Sequence, residues 1–110
     1  MKKRWGKTPE GRVKAPISDW LDTIGACWFM PVKSKFGSRS VDYIGVWQGV
    51  AFAIEAKRPG GKSGLTNNQK TFLANWIKAG GWGFLTDSLE DLQTQWELAC
   101  RIAGIKTQDT

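Results

Sequence analysis

Val41-Asp42-Tyr43-Ile44-Gly45-Val46-Trp47-Gln48-Gly49-Val50-Ala51-Phe52-Ala53-Ile54-Glu55-Ala56-Lys57 decides how this chain folds. Val41 to Trp47 and Val50 to Lys57 are two strand-like runs, and Gln48-Gly49 between them is a two-residue hairpin signal. With that turn, Val46 faces Ala51, Ile44 faces Ala53 and Asp42 faces Glu55. Directly opposed residues share a face, with Cβ atoms roughly 4.5–5.5 Å apart. The register therefore sets two carboxylates side by side, with Lys57 beyond Glu55 on the same face. Tyr43, Trp47, Phe52 and Ile54 fall on the other face and read as core. A slip of one residue would separate the acids.

Outward from the hairpin, Cys27 to Val32 is an apolar, aromatic run that reads as a strand, and Lys33 to Ser40 reads as a polar loop. Before them, Thr8-Pro9-Glu10 starts a helix, with Thr as N-cap and Pro at the first helical position. Its apolar positions are Val13, Ile17, Trp20, Leu21 and Ile24, and Gly25 ends it. Pro16 either kinks this helix or divides it into two short pieces. After the hairpin, Pro59 to Gly64 is a loop, and Thr66 with Gln69 has capping-box spacing for a second helix. That helix carries Phe72, Leu73, Trp76 and Ile77 and stops at Gly80-Gly81. Trp82 to Thr86 is a short strand, and Ser88 caps a last helix with Leu89, Leu92, Trp96, Ala99 and Ala103 on one face, ending near Gly104. The expected order is α-β-β-β-α-β-α: an α/β (mixed α+β) domain over residues 1–110, with a small central mixed sheet flanked by helices.

Composition limits the chemistry. The 110 residues contain no histidine, which excludes Ser-His-Asp and Cys-His triads and His-ligated zinc. Catalysis would have to use carboxylates, lysine or a hard metal held by oxygen. Sixteen Lys+Arg against 10 Asp+Glu give a net charge of +6, which favours an anionic partner. The cations crowd the N-terminal arm, residues 1–7, and the middle of the chain, where Lys33, Lys35, Arg39, Arg58 and Lys62 are candidate phosphate contacts. The last helix is acidic and is expected to lie away from the anion. Cys27 and Cys100 form no framework or metal motif and read as buried apolar residues in a reducing, cytoplasmic compartment. No apolar run has the length of a signal peptide or a membrane span. The seven tryptophans fall mainly on core-facing stripes and strands; Trp5, in the basic arm, is the exception.

Opposed like charges destabilise a hairpin. A divalent cation between Asp42 and Glu55 resolves that conflict, because paired carboxylates suit Mg²⁺ or Mn²⁺. Such an ion lowers the pKa of a bound water and polarises a phosphoryl oxygen, and Lys57 would orient or deprotonate the water or stabilise developing charge. The alternative is a structural ion-pair cluster in which Lys57 and Arg58 neutralise the acids. Glu10 in a first helical turn favours the helix dipole, and Gln69 either closes the capping box or, lying on the buried stripe with Phe72 and Leu73, faces the sheet. The glycine-rich segment 59–64 is either a plain surface loop or a flexible basic loop following a phosphodiester backbone.

Asp42, a hairpin and then Glu55-Ala56-Lys57 resembles the PD-(D/E)-x-K nuclease superfamily. The ordered set Thr8-Pro9-Glu10-Gly11-Arg12-Val13-Lys14, Phe29-Met30-Pro31-Val32, Val41-Asp42-Tyr43-Ile44-Gly45, Ile54-Glu55-Ala56-Lys57 and Leu65-Thr66-x-x-Gln69 resembles its VRR-NUC branch, in particular small stand-alone phage and bacterial forms. The resemblance covers roughly residues 8–90 and departs at Val41, which stands in place of the motif's proline, a change many members tolerate, and at Pro16. It implies a restriction-endonuclease-like core and a Mg²⁺- or Mn²⁺-dependent DNA endonuclease without an organic cofactor. It further implies Asp42, Glu55, the Ala56 carbonyl and Glu10 as the metal set, with Lys57 and Gln69 as catalytic residues. Stand-alone members look like four-way-junction resolvases acting as homodimers, so the expected partners are branched DNA and a second copy, with no membrane. A flap- or nick-directed nuclease and a catalytically silent DNA-binding module on the same fold are the competing expectations.

Overall fold

A computed structural model describes residues 8–32 and 41–106, apart from the side chain of Glu10. The elements are α1 (Pro9–Thr23), β1 (Cys27–Phe29), β2 (Tyr43–Trp47), β3 (Val50–Ala56), α2 (Asn67–Lys78), β4 (Trp82–Thr86) and α3 (Leu89–Ala103), with one 3₁₀ turn at Lys62–Gly64. This is the expected α-β-β-β-α-β-α order. The sheet runs β1-β2-β3-β4; the first two pairings are antiparallel and β3–β4 is parallel. A parallel pair needs a crossover, and α2 supplies it.

The hairpin has the register its turn dictates: Val46 pairs with Ala51, Ile44 with Ala53 and Tyr43 with Ile54. Gln48 and Gly49 both have positive φ, 49° and 80°, the backbone of a type I′ turn. Its twist matches the strands it joins, so the turn sets the register. Both strands stop one or two residues short of the runs read from sequence. Val41 and Asp42 precede β2, and Lys57 follows β3. β1 also ends early, at Phe29, ahead of Pro31, which has no N–H for a ladder.

The two faces of the sheet carry separate cores. Val13, Ile17 and Leu21 of α1 and Leu92, Trp96 and Cys100 of α3 pack against Tyr43, Trp47, Phe52, Ile54, Ala56 and Phe84. Trp96 is the hub, with ring centroids 5.1–5.6 Å from those of Trp20, Trp47, Phe52, Trp82 and Phe84. On the opposite face, α2 sets Leu73 against Val41 and Ala53, with Ile44, Leu65, Phe72 and Trp76 around them. Ile77, on the expected stripe of α2, is half exposed.

α1 is a single helix despite Pro16. Pro16 is exposed, so the disruption of the helical ladder lies on the solvent side, where a bend is tolerated. Thr8 Oγ1 caps it by accepting from the Gly11 N–H at 2.9 Å. Cys27, expected inside, is exposed; Cys100 is buried as expected. β1 is an edge strand, and Cys27 falls with Phe29 on the face that α2 leaves open, whereas Trp28 turns inward to Tyr43.

Candidate active site

Asp42 and Glu55 are buried side by side at the open end of the hairpin, 3 % and 1 % exposed. Neither carboxylate is left bare. The Asp42 N–H donates to Glu55 Oε1 at 3.1 Å, and Asp42 Oδ2 accepts from the Ala56 N–H at 2.9 Å. The two strands are thus stapled, beyond their ladder, by each other's acid. This explains why β2 begins only at Tyr43: the Asp42 N–H is spent on a side chain.

The other two oxygens meet ammonium groups. Glu55 Oε2 lies 3.2 Å from Lys57 Nζ and accepts from Gln69 Nε2 at 2.8 Å. Asp42 Oδ1 lies 3.2 Å from Lys14 Nζ. Among the described residues, two negative and two positive charges are therefore brought together in a largely dry place, which offsets the repulsion the hairpin register creates. The expected second neutralising cation was Arg58; the structure supplies Lys14 from α1 instead, and Arg58 is exposed. Lys14 sits one residue after Val13, a core position of α1, so helical spacing alone gave no sign that its head reaches the hairpin. The hydroxyl of Tyr43 fixes that turn of helix: it donates to the Lys14 carbonyl at 3.0 Å and shares a 2.8 Å hydrogen bond with Ser18 Oγ. Burial raises the Tyr43 phenol well above its ordinary value, with the Ser18 hydrogen bond working the other way and the Asp42 charge adding to the rise.

Gln69 does both things its position allows. Its N–H and Oε1 complete the capping box with Thr66, and it is buried at 4 % exposure against the sheet. Its Oε1 also accepts from Lys57 Nζ at 3.2 Å while Nε2 donates to Glu55, so one amide spans the acid and the lysine.

Lys57 forms part of the wall of an open cleft of about 570 Å³ between the start of α1 and the glycine-rich loop, lined also by Thr8, Pro9, Arg58, Gly60, Gly61, Ser63 and Gly64. The acids lie behind Lys57 and do not line the cleft. The loop is tied down. The Gly60 N–H donates to Asp87 Oδ2 at 3.1 Å, and Lys62 Nζ meets Asp91 Oδ2 at 2.9 Å. The first turn of the acidic α3 therefore lies against the basic loop, and the separation of charge expected from sequence is incomplete there.

Two carboxylates and a backbone carbonyl are hard oxygen donors of the kind Mg²⁺ and Mn²⁺ take, the remainder of the shell being water. The residues present fit that role. In an extended strand a residue's N–H and C=O point to the same side. Because the Ala56 N–H reaches Asp42, the Ala56 carbonyl faces the same side. Glu10 lies in the first turn of α1, but its side chain is outside the described residues, as are Lys33, Lys35, Arg39 and the N-terminal arm with Trp5. Among the described residues no three His, Cys, Asp or Glu side chains cluster for a metal. No helix among the described residues is long and apolar enough to cross a membrane.

No protein-family model matches the sequence, and no curated protein matches it either.

Proposed function

We propose that the chain is a Mg²⁺- or Mn²⁺-dependent DNA endonuclease of the PD-(D/E)-x-K type, acting as a homodimer on branched DNA, with four-way junctions as the favoured substrate. The observation that carries this reading is the buried Asp42/Glu55 pair joined, directly and through Gln69, to Lys57, which lines a cleft beside a basic loop. A bound divalent ion would supply Lewis acidity and an acidified water.

The chain's own groups have separable roles. Asp42, Glu55 and the Ala56 carbonyl would hold the ion. Lys57, which lines the cleft and is steadied by Gln69, would donate to a phosphoryl oxygen and stabilise its developing charge. Arg58 and the N–H groups of the glycine-rich loop would follow the phosphate backbone. The domain has little room for a base-reading element, which favours recognition of shape and phosphates over sequence.

A second reading has a specific observation behind it. Each carboxylate oxygen of the pair already has an N–H or ammonium partner, which suits a structural cluster in a catalytically silent DNA-binding module. Purified protein incubated with Mg²⁺ or Mn²⁺ and labelled four-way junction, flap and plain duplex decides between them. Cleavage of the junction that is lost in Glu55→Gln and Lys57→Ala, with junction binding retained, supports the nuclease. No cleavage of any substrate, with equal binding by wild type and variants, establishes the binding module.

A further inference from the structure

Access to the acid pair is the feature of the site that the nuclease reading leaves unexplained. Asp42 and Glu55 are almost fully buried and stand behind Lys57, so an ion can reach them only if a present partner moves. The Asp42 and Ala56 N–H groups belong to the backbone and cannot leave without parting the strands. Gln69 is held by its capping box as well as by Glu55 and Lys57, and Lys57 Nζ is held by both Glu55 Oε2 and Gln69 Oε1. Lys14 is different. Its backbone is pinned by Tyr43, while its head is a flexible, partly exposed ammonium at the end of a four-carbon stem.

We infer that Lys14 is a displaceable counter-ion for Asp42. It occupies Asp42 Oδ1 when no divalent cation is bound and gives up that oxygen when one binds. The inference rests on the metal-binding reading above and adds to it a residue that sets the affinity for the ion. Lys14 keeps the acid pair from repelling itself apart in the metal-free protein, and the same contact weakens metal binding, because the ammonium must be moved away from the incoming charge. The two effects are one free energy seen from both sides.

The test uses Mn²⁺ as the probe, with affinity read by electron paramagnetic resonance and stability by thermal unfolding with and without the ion. Lys14→Met is expected to bind Mn²⁺ about tenfold more tightly than wild type, as removal of a nearby like charge predicts. Without metal its unfolding midpoint should fall by about 5 °C, and saturating Mn²⁺ should raise it further than it raises wild type. Lys14→Arg should restore both wild-type values. Lys14→Gln, which keeps a donor without the charge, carries the same expectation as Lys14→Met if that variant fails to fold. Unchanged or weaker Mn²⁺ affinity in the uncharged variants, with wild type binding the ion, overturns the counter-ion role and leaves the metal site standing. Weaker DNA binding by Lys14→Met without metal, at unchanged Mn²⁺ affinity, overturns it too and makes Lys14 a phosphate contact. Absence of Mn²⁺ binding in wild type and variants alike overturns both readings.

Discussion

Gln69 Nε2 donates to Glu55 Oε2 at 2.8 Å, while Gln69 Oε1 receives both Lys57 Nζ and the Thr66 N–H that begins α2. One side chain thus couples the start of a helix to the orientation of the acid and the lysine. Gln69→Ala removes both roles. It should cost about 2–3 kcal/mol of stability, from a lost cap and a buried carboxylate left short of a donor. Thr66→Ala removes only the cap and should cost about 1 kcal/mol. Denaturant unfolding measures both. If Gln69 positions Lys57, junction cleavage should fall far more in Gln69→Ala than in Thr66→Ala. Equal cleavage by the two, at equal folded fraction, would reduce Gln69 to a capping residue.

The hairpin register was legible because three local signals agree: the Gln48-Gly49 turn, the alternation of Tyr43, Phe52 and Ile54 toward one face, and the strand-forming residues on both sides. The proximity of Asp42 and Glu55 follows from that register, although both acids act at the margin of the ladder. Gln69 was placed by helical period. Lys14 was not legible, because its ion pair depends on how α1 crosses the sheet, a tertiary quantity with no local signature. The Lys62–Asp91 pair was hidden for the same reason: 29 positions separate its partners in sequence. Cys27 is exposed although its apolar run reads as buried, because a short apolar strand reads alike at the edge and at the centre of a sheet.

Asp91 links the glycine-rich loop to the body of the domain. Its Oδ2 accepts from Lys62 Nζ, from Thr86 Oγ1 at 2.9 Å and from Gln95 Nε2 at 2.8 Å. Burial pushes its carboxyl up, and these hydrogen bonds with the Lys62 charge outweigh burial, so the net shift is below the ordinary 3.8. A group with a lowered folded pKa stabilises the fold above its unfolded value and loses that contribution as pH falls through the folded one. Asp91→Asn should therefore be less stable than wild type at neutral pH, and the difference should shrink in acid, below about pH 4. Urea titrations at several pH values check this. The same variant should expose the 58–64 backbone to faster amide hydrogen exchange at pH 7; unchanged exchange there would show that Asp87 alone holds the loop.

Gly45 lies opposite Trp28, where β1 crosses close to β2. A Cβ at this position would fall 2.5 Å from the Cys27 carbonyl oxygen and 2.5 Å from the Phe52 ring. The carbonyl belongs to a strand and the ring is fully buried, so neither can yield cheaply. Gly45→Ala should destabilise by about 3 kcal/mol, at the upper end of overpacking costs. The change falls where β2 meets the edge strand β1, so near-ultraviolet circular dichroism from Trp28 and Tyr43 should change with it. Wild-type stability in this variant would mean that β1 can lift away from β2 at little cost.

The two cysteines should differ sharply in reactivity. Cys27 is exposed on the edge strand, whereas Cys100 is 1 % exposed among the α3 core residues. Burial raises the Cys100 thiol above its ordinary value, and the nearby Glu97 charge raises it further, so its reactive thiolate is suppressed on both counts. A chromogenic disulfide reagent added to the native protein should titrate one thiol quickly, and Cys27→Ser should abolish that fast phase. In denaturant both thiols of the wild type should react. Because Cys100 becomes available only on opening of the α3 core, its slow native rate should track global stability and rise in a destabilised background such as Gly45→Ala. A fast phase that survives Cys27→Ser would mean that the C-terminal part of α3 opens independently of the rest of the domain.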